Sequence, residues 1–551
     1  MTGQKRILAA LLGALAVLVL IIGGLSAVLL LSGGGGGGGE PGTVKTGSAV
    51  DTKPASGRLR LPGSDPLTLD PALLTDAGSA EYVVEIFSGL MTISPDLKVV
   101  PDLAESYTVS DDGKTFTFKL RDNAVFHDGR AVEASDVKCS LDRAASRQTA
   151  SPTAPQFLND IIGATDVMTG KATEIRGVEV VDKKTVKITI DQPRPYFLAK
   201  LTYTTAMVVD CKQAQQNPRN WTRNPNGTGP YRLSEWRVGE RLVLEANPKF
   251  YLGAPKLQQV LFQFSGGSAL TRFENNELDV AGISVNDIDR VRDKNSALGK
   301  LYQTTTEFSV SYIAFNSKLA PFDDPNVRRA FGMAIDRQKV VNVTFNNMLP
   351  AATGILPPQL PGFTPTDKTL KFDPEGAKAA LAASKYRNAA GLPPITMTEI
   401  GGGASAGIDT QAYIEQWKQV LGVTVQIKQS DAATFFEDQH NGKLQMFNAG
   451  WVMDYPDPED VLDLKFHSKS ALNDIRYANA DADRLLEQAR TERNPETRLK
   501  IYQQVEQLLL QDAAWLPLYF GQRHQVVSSA VKGWIEPPMV IPRLRFMSVE
   551  R

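Results

Sequence analysis

Apolar and polar positions change period several times along this chain, and the changes divide it into elements. Tyr107–Val109 and Thr115–Arg121 alternate about Asp111-Asp112-Gly113-Lys114, with Phe116, Phe118 and Leu120 on one face, which predicts a β-hairpin. A second pair of strands is expected in Val178–Ile190 around Asp182-Lys183-Lys184, and further strands at Arg241–Glu245 and Gln259–Phe264. Helical spacing of apolar residues predicts helices over Glu81–Leu90, over Ser135–Ala145 with Ser135 as N-cap, and over Asn326–Val341, where Val327, Ala330, Phe331, Ala334, Ile335 and Val340 form a stripe. Ala269–Asn275 and Leu278–Val280 read as helix then strand, and Tyr312–Asn316 as a strand. From residue 395 strands and helices alternate: Ile395–Ile400, a helix over Asp409–Leu421, Val423–Ile427, a helix over Thr434–Gln439, then an apolar run ending at Met453. That βαβ-like order predicts a parallel sheet covered by helices, an α/β fold. Helices Asp481–Arg490 and Pro495–Leu510 and strands Leu516–Phe520 and Gln525–Val527 complete the pattern.

The run Phe447-Asn448-Ala449-Gly450-Trp451-Val452-Met453 stops abruptly at Asp454-Tyr455-Pro456-Asp457-Pro458, because two prolines end ladder pairing. Asp454 therefore stands at a strand end between Trp451 and Tyr455. A carboxylate there can pair with a cationic ligand group in a low local dielectric, or it can simply cap a turn before proline. Gly227-Thr228-Gly229 raises a similar choice: its glycines let the backbone approach a neighbour closely, or form a tight turn.

The N-terminus breaks the globular pattern. Lys5 and Arg6 precede the uncharged apolar span Ile7–Leu31, longer than the roughly 20 residues that cross a bilayer. The span runs straight into Ser32 and Gly33–Gly39 without a small-x-small cleavage site or a following cysteine, so an uncleaved transmembrane anchor with the rest of the chain exported is expected. Residues 33–56 read as a Gly-rich tether. The remaining composition is ordinary: 551 residues, enough for two or more domains, with a formal net charge of -1 that draws the chain to neither nucleic acid nor anionic lipid. An oxidising exterior would let the two cysteines, Cys139 and Cys211, pair as a disulfide; two separate thiols are the alternative. His127, His440, His467 and His524 are too scattered to suggest a metal site, and no cofactor is expected.

One enzyme motif is present. Gly403-Ala404-Ser405-Ala406-Gly407 fits G-x-S-x-G between a predicted strand and helix, and downstream histidines could complete an acyl-transfer triad with Ser405 as nucleophile. The surrounding glycines also suit a flexible loop, and no HGGG-like oxyanion segment occurs.

Between Leu67 and about Arg545 the chain resembles the dipeptide and oligopeptide-binding family (family 5) of bacterial ABC-transporter solute-binding proteins. The likeness is carried by LTLDP (67–71), SGL (88–90), PDLAESYTVSDDGKTFTFKLRDNAVFHDG (101–129), DVKCSLDR (136–143), GTGPYRL (227–233), FNSKLAPFDDPNVRRAFGMAIDR (315–337), GILPP (354–358), GWVMDYPDP (450–458) and Leu499–Leu518. The resemblance implies a two-lobed periplasmic-binding-protein-like fold, class II. Lobe I would comprise 57–90, 216–306 and 522–551, an inserted subdomain 91–215, and lobe II 307–521, with hinges near Gln303–Phe308 and Phe520–Gln525. It implies a monomeric, non-enzymatic receptor that captures short peptides and passes them to ABC permease subunits. Asp454 would pair with the ligand's α-ammonium, Gly450-Trp451-Val452 would pair with its backbone, Trp451 and Tyr455 would flank the site, and Thr75-Asp76-Ala77 would approach from the other lobe. Some relatives carry an arginine where this chain has Asn448, so the hold on the ligand's carboxylate is open, as is a non-peptide solute such as an opine, glycoside or metal chelate.

Overall fold

The computed structural model describes residues 52–365, 370–401 and 406–551; the Ile7–Leu31 span, most of the Gly-rich tether and Gly403-Ala404-Ser405 lie outside the described residues. Three sheets of four or more strands, each backed by its own apolar core, organise the described chain.

The first sheet begins ahead of the LTLDP segment. Arg58–Pro62 pairs in parallel with Gln259–Gln263, which continues antiparallel to Arg241–Ala246 and Tyr231–Arg237. The buried Arg60 guanidinium meets the buried Asp279 carboxylate at 2.7 Å, so a desolvated charge pair ties this edge strand to a distant part of the chain. Helix Ala77–Ile86 packs on this core and starts four residues before the expected Glu81, because Asp76 accepts the Ser79 N–H at 2.7 Å and caps it. Gly227 and Gly229 lie against the other end of the helix, where a Cβ on either would collide with the Ile86 or Glu85 carbonyl; the Gly229 N–H donates to Ile86 O at 2.9 Å. Their close approach is thus to a helix end.

The second sheet is antiparallel throughout, in the order Ala104–Val109, Thr115–Leu120, Thr185–Thr189, Val178–Asp182, and holds both hairpins read from the alternation. Helix Ala134–Ala145 covers it. Ser135 is not its cap: the helix starts one residue earlier, and the Asp136 carboxylate accepts the Glu133 N–H at 2.9 Å. Cys139 in this helix and Cys211, which opens helix Cys211–Gln216, form a disulfide.

The third sheet runs Val280–Gly282, Trp515–Val527, Tyr302–Phe315, Met446–Val452, Ile395–Ile400, Val425–Ser430. It is mixed, not parallel. Ile395–Ile400 is parallel to both its neighbours, but Tyr302–Phe315 is antiparallel to Met446–Val452 and to Trp515–Val527. The segments expected as short separate strands, Tyr312–Asn316 and Leu516–Phe520, fall largely within these two long strands and pair with each other near one end, while Gln525–Val527 lies at the far end of Trp515–Val527. Their register shifts between Thr306 and Val310, where the Phe308 N–H leaves the ladder for Pro538 O at 2.8 Å. The stripe over Asn326–Val341 is carried by two helices, Pro325–Met333 and Arg337–Thr344, because Asp336 accepts the Lys339 N–H at 2.9 Å and caps a new start. Among the described residues no helix is long and apolar enough to cross a membrane.

The disulfide closes a loop with a sequence separation of 72 residues. Replacing both cysteines by serine is expected to lower unfolding free energy by about 2–4 kcal/mol, read from denaturant midpoints, through the larger entropy of the opened unfolded chain.

Candidate functional site

The strand Met446–Val452 buries its first residues in the third core and leaves its last ones at an edge. On one side it pairs with Tyr302–Phe315 over its full length, from Phe315 opposite Met446 to Ser309 opposite Val452. On the other side only Met446 and Phe447 are paired, with Met397 and Thr398. The Met453 N–H donates to Phe308 O at 2.8 Å, so by the alternation of an antiparallel ladder the peptide groups of Gly450 and Val452 point the opposite way, to the unpaired edge. Gly450 and Val452 are exposed there. An extended backbone can add to such an edge.

Beyond the edge the chain turns through Asp454-Tyr455-Pro456-Asp457-Pro458 into helix Glu459–Phe466. One carboxylate oxygen of this helix's first turn organises the turn: Asp460 Oδ2 accepts the Asp454 N–H at 2.9 Å and the Trp451 indole N–H at 3.2 Å. Asp460 is fully buried and its Oδ1 has no hydrogen-bond partner. Tyr455, also fully buried, donates its hydroxyl to Glu459. Lys465 lies 5.0 Å from the Trp451 ring centre, but its ammonium is paired with Asp474 at 2.5 Å.

Asp454 is half-buried at the end of the strand. Burial pushes its carboxyl up to about 7, with the Gln156 amide beside it acting in the opposite direction. Burial raises Asp460 well above the carboxylate range, and the neighbouring Asp454 charge adds to the rise. Glu459 is pushed up to about 7 by burial, opposed by Lys200. The acids titrate as a set and hold protons because the cations around them among the described residues are already paired. The nearby cations are committed elsewhere: Lys200 to Asp160 at 2.6 Å, Arg490 to Asp463 at 2.6 Å and Arg498 to Asp457 at 2.6 Å. Lys200 and Arg490 also line a cavity of about 690 Å³ between segments 151–200 and 440–490.

Tyr203 faces the set from the other side. Its ring stacks on Phe157 at 3.7 Å, and Phe157 meets the Tyr455 ring edge-on at 6.2 Å. Burial raises its phenol well above the usual range, followed by the charges of Asp454, Asp460 and Asp76. The structure thus puts Asp76 within electrostatic range of the same phenol as Asp454, although Asp76 caps a helix of the first core. Asp76 spends Oδ1 on the Ser79 N–H, and its Oδ2 is buried without a partner. Thr75 and Ala77 on either side are exposed.

Asn448 lies at the far end of the open edge. Its amide approaches the buried Thr410 hydroxyl at 3.4 Å, next to Asp409, whose carboxyl is raised by burial and accepts the Tyr519 hydroxyl at 3.4 Å. A carboxylate, not a guanidinium, therefore stands beside Asn448. Of the triad candidates, Ser405 lies outside the described residues; His467 bonds Glu487 at 3.3 Å, and His524 sits between the Tyr302 hydroxyl and Met348 O. Among the described residues no group of three or more His, Cys, Asp or Glu side chains could hold a metal ion.

Sequence reasoning missed Tyr203, Phe157, Gln156, Glu459 and Asp460. The acid-rich run Asp454-Tyr455-Pro456-Asp457-Pro458-Glu459-Asp460 was a visible signal for the last two; nothing local marks the others.

Compared with known proteins, residues 98–473 match a family model described as "Bacterial extracellular solute-binding proteins, family 5 Middle". The chain is 28% identical over 490 residues to the oligopeptide-binding protein OppA of Bacillus subtilis (strain 168), covering 86% of this chain and 89% of that protein. It is 27% identical over 481 residues to the probable deoxycholate-binding periplasmic protein YgiS of Escherichia coli (strain K12), covering 86% and 89%. The solved structure of the Escherichia coli murein tripeptide binding protein MppA superposes with a TM-score of 0.77 at 28% identity, over 89% of this chain and 98% of that one. The two-lobed mixed α/β binding-protein fold is shared with it.

The raised Asp454 carboxyl has a stability consequence with a definite sign. An unfolded aspartate releases its proton near 3.8 and the folded one near 7, so the folded state binds more protons between those values and loses stability as pH rises through them. Asp454→Asn is expected to flatten the fall in Tm between pH 5 and about 7 in the ligand-free protein, measured by calorimetry against wild type across the same buffers.

Proposed function

Because the chain belongs to the bacterial extracellular solute-binding proteins, family 5, we propose that it is an extracytoplasmic receptor of an ABC importer that captures short peptides between two lobes and delivers them to the permease. One observation carries the choice of ligand: a carboxyl at Asp454 pushed up by burial, with the surrounding cations among the described residues paired elsewhere, at the end of a strand whose Gly450 and Val452 peptide groups face an edge without a strand partner. A peptide supplies both missing partners, an α-ammonium for Asp454 and an extended backbone for the edge. Trp451, held by Asp460, and Tyr455 form the wall between them.

The lobes are 57–90 with 216–306 and 522–551, the inserted subdomain 91–215, and 307–521. Closure turns on the long strand pair where its register shifts near Phe308. The N-terminal span Ile7–Leu31 holds the receptor at the membrane, and the receptor acts as a monomer without a cofactor or catalytic activity of its own. A second reading, a non-peptide solute in the same cleft, is favoured by one feature: Asn448, Thr410 and Asp409 offer no cation to a ligand carboxylate.

Asp454→Asn is expected to weaken binding of a copurifying peptide by about 2–5 kcal/mol, more than tenfold in Kd, and N-acetylation of the peptide to do the same, both read by isothermal titration. Unchanged affinity in either comparison would favour the non-peptide reading. For the anchor, mass spectrometry of the mature protein should find the N-terminus ahead of Ile7; one beyond Ser32 would make the span a cleaved signal.

A further inference from the structure

Three carboxylates, two on the turn into helix Glu459–Phe466 and one capping helix Ala77–Ile86, lie within electrostatic range of one phenol, and two of them hold an oxygen in reserve. Asp460 Oδ2 is occupied by the Asp454 and Trp451 N–H groups, while its Oδ1 is buried and unpartnered. Asp76 Oδ1 is occupied by the Ser79 N–H, while its Oδ2 is buried and unpartnered. Tyr203, pinned by stacking on Phe157, feels Asp454, Asp460 and Asp76 together. The charged and titratable groups packed around them are Glu459 and Tyr455 on the site helix and turn, Lys465 paired with Asp474, and Lys200 paired with Asp160. One α-ammonium at Asp454 satisfies one acid and leaves the other two oxygens buried without a donor, a state that costs free energy.

Building on the reading of Asp454 above, we propose that this end of the cleft selects peptides bearing two positive charges at their amino end, the α-ammonium at Asp454 and the cationic side chain of a first-residue lysine or arginine at the reserve oxygens of Asp460 and Asp76. A lysine ammonium brings three donors and an arginine guanidinium five, more than the two oxygens require. A neutral first residue leaves them unsatisfied, and an acidic one adds like charge.

The test is isothermal titration of the full-length protein, freed of copurifying ligand, with three tripeptides differing only in the first residue: lysine, its uncharged near-isostere norleucine, and glutamate. The lysine peptide is expected to bind about tenfold or more tighter than the norleucine peptide, with the glutamate peptide weakest. In Asp460→Asn, whose amide oxygen can still accept the Asp454 and Trp451 N–H groups, the lysine-to-norleucine ratio should fall towards one. Repeated near pH 6.5 in buffers of different ionisation enthalpy, the lysine peptide should release more protons on binding than the norleucine peptide. Equal lysine and norleucine affinities in wild type, with both peptides binding, would overturn this inference and leave the peptide reading standing, as would a ratio unchanged in Asp460→Asn. Binding by none of the three would overturn the peptide reading and this inference with it.

Discussion

The antiparallel pairing of Tyr302–Phe315 with Trp515–Val527 is the constraint on which the rest of the structure depends. One end of the pair carries Val280–Gly282 and the other carries Met446–Val452, so two regions of chain are joined by strands that run through both. The irregularity between Thr306 and Val310 interrupts the ladder partway along, where bending costs the fewest hydrogen bonds. The same pairing places the site strand: full pairing on one side with Tyr302–Phe315 and early loss of pairing on the other leave a short unpaired edge facing Asp454.

The chemistry of the site is that of charge taken out of water and left short of counter-charge. Around Asp454 the protein's own cations are already paired, Lys200 with Asp160, Arg490 with Asp463 and Lys465 with Asp474. The acids consequently retain protons, and the ligand-free site carries a cost that a cationic ligand can offset. On the proposed reading, folding stability and ligand selectivity meet in one set of side chains: a site made comfortable by a resident lysine would be more stable when empty and would discriminate less.

Much of the architecture was legible in residue order because period-2 and period-3.6 patterns are local. The hairpin about Gly113, the helices Ala134–Ala145 and Pro495–Gln511 and the strand ending before Pro456 all follow from nearest-neighbour chemistry. Where local cues failed, they failed at boundaries set by capping or long-range pairing. Asp76 and Glu133 begin helices earlier than the apolar spacing suggested, Asp336 splits one stripe into two helices, and two strands run far past their apolar segments because a partner strand satisfies their backbone. The sheet's mixed direction was illegible for the same reason, since strand order is decided by partners distant in sequence.

The site divides along the same line. Sequence by itself determined that an aspartate would stand at a strand end between Trp451 and Tyr455, because prolines and alternation are properties of adjacent residues. Only the tertiary structure decided what that aspartate faces. Tyr203 and Gln156 reach it from elements far away in the chain, and whether a carboxylate is paired, solvated or left holding a proton depends on the atoms that surround it in space, a quantity no local pattern encodes.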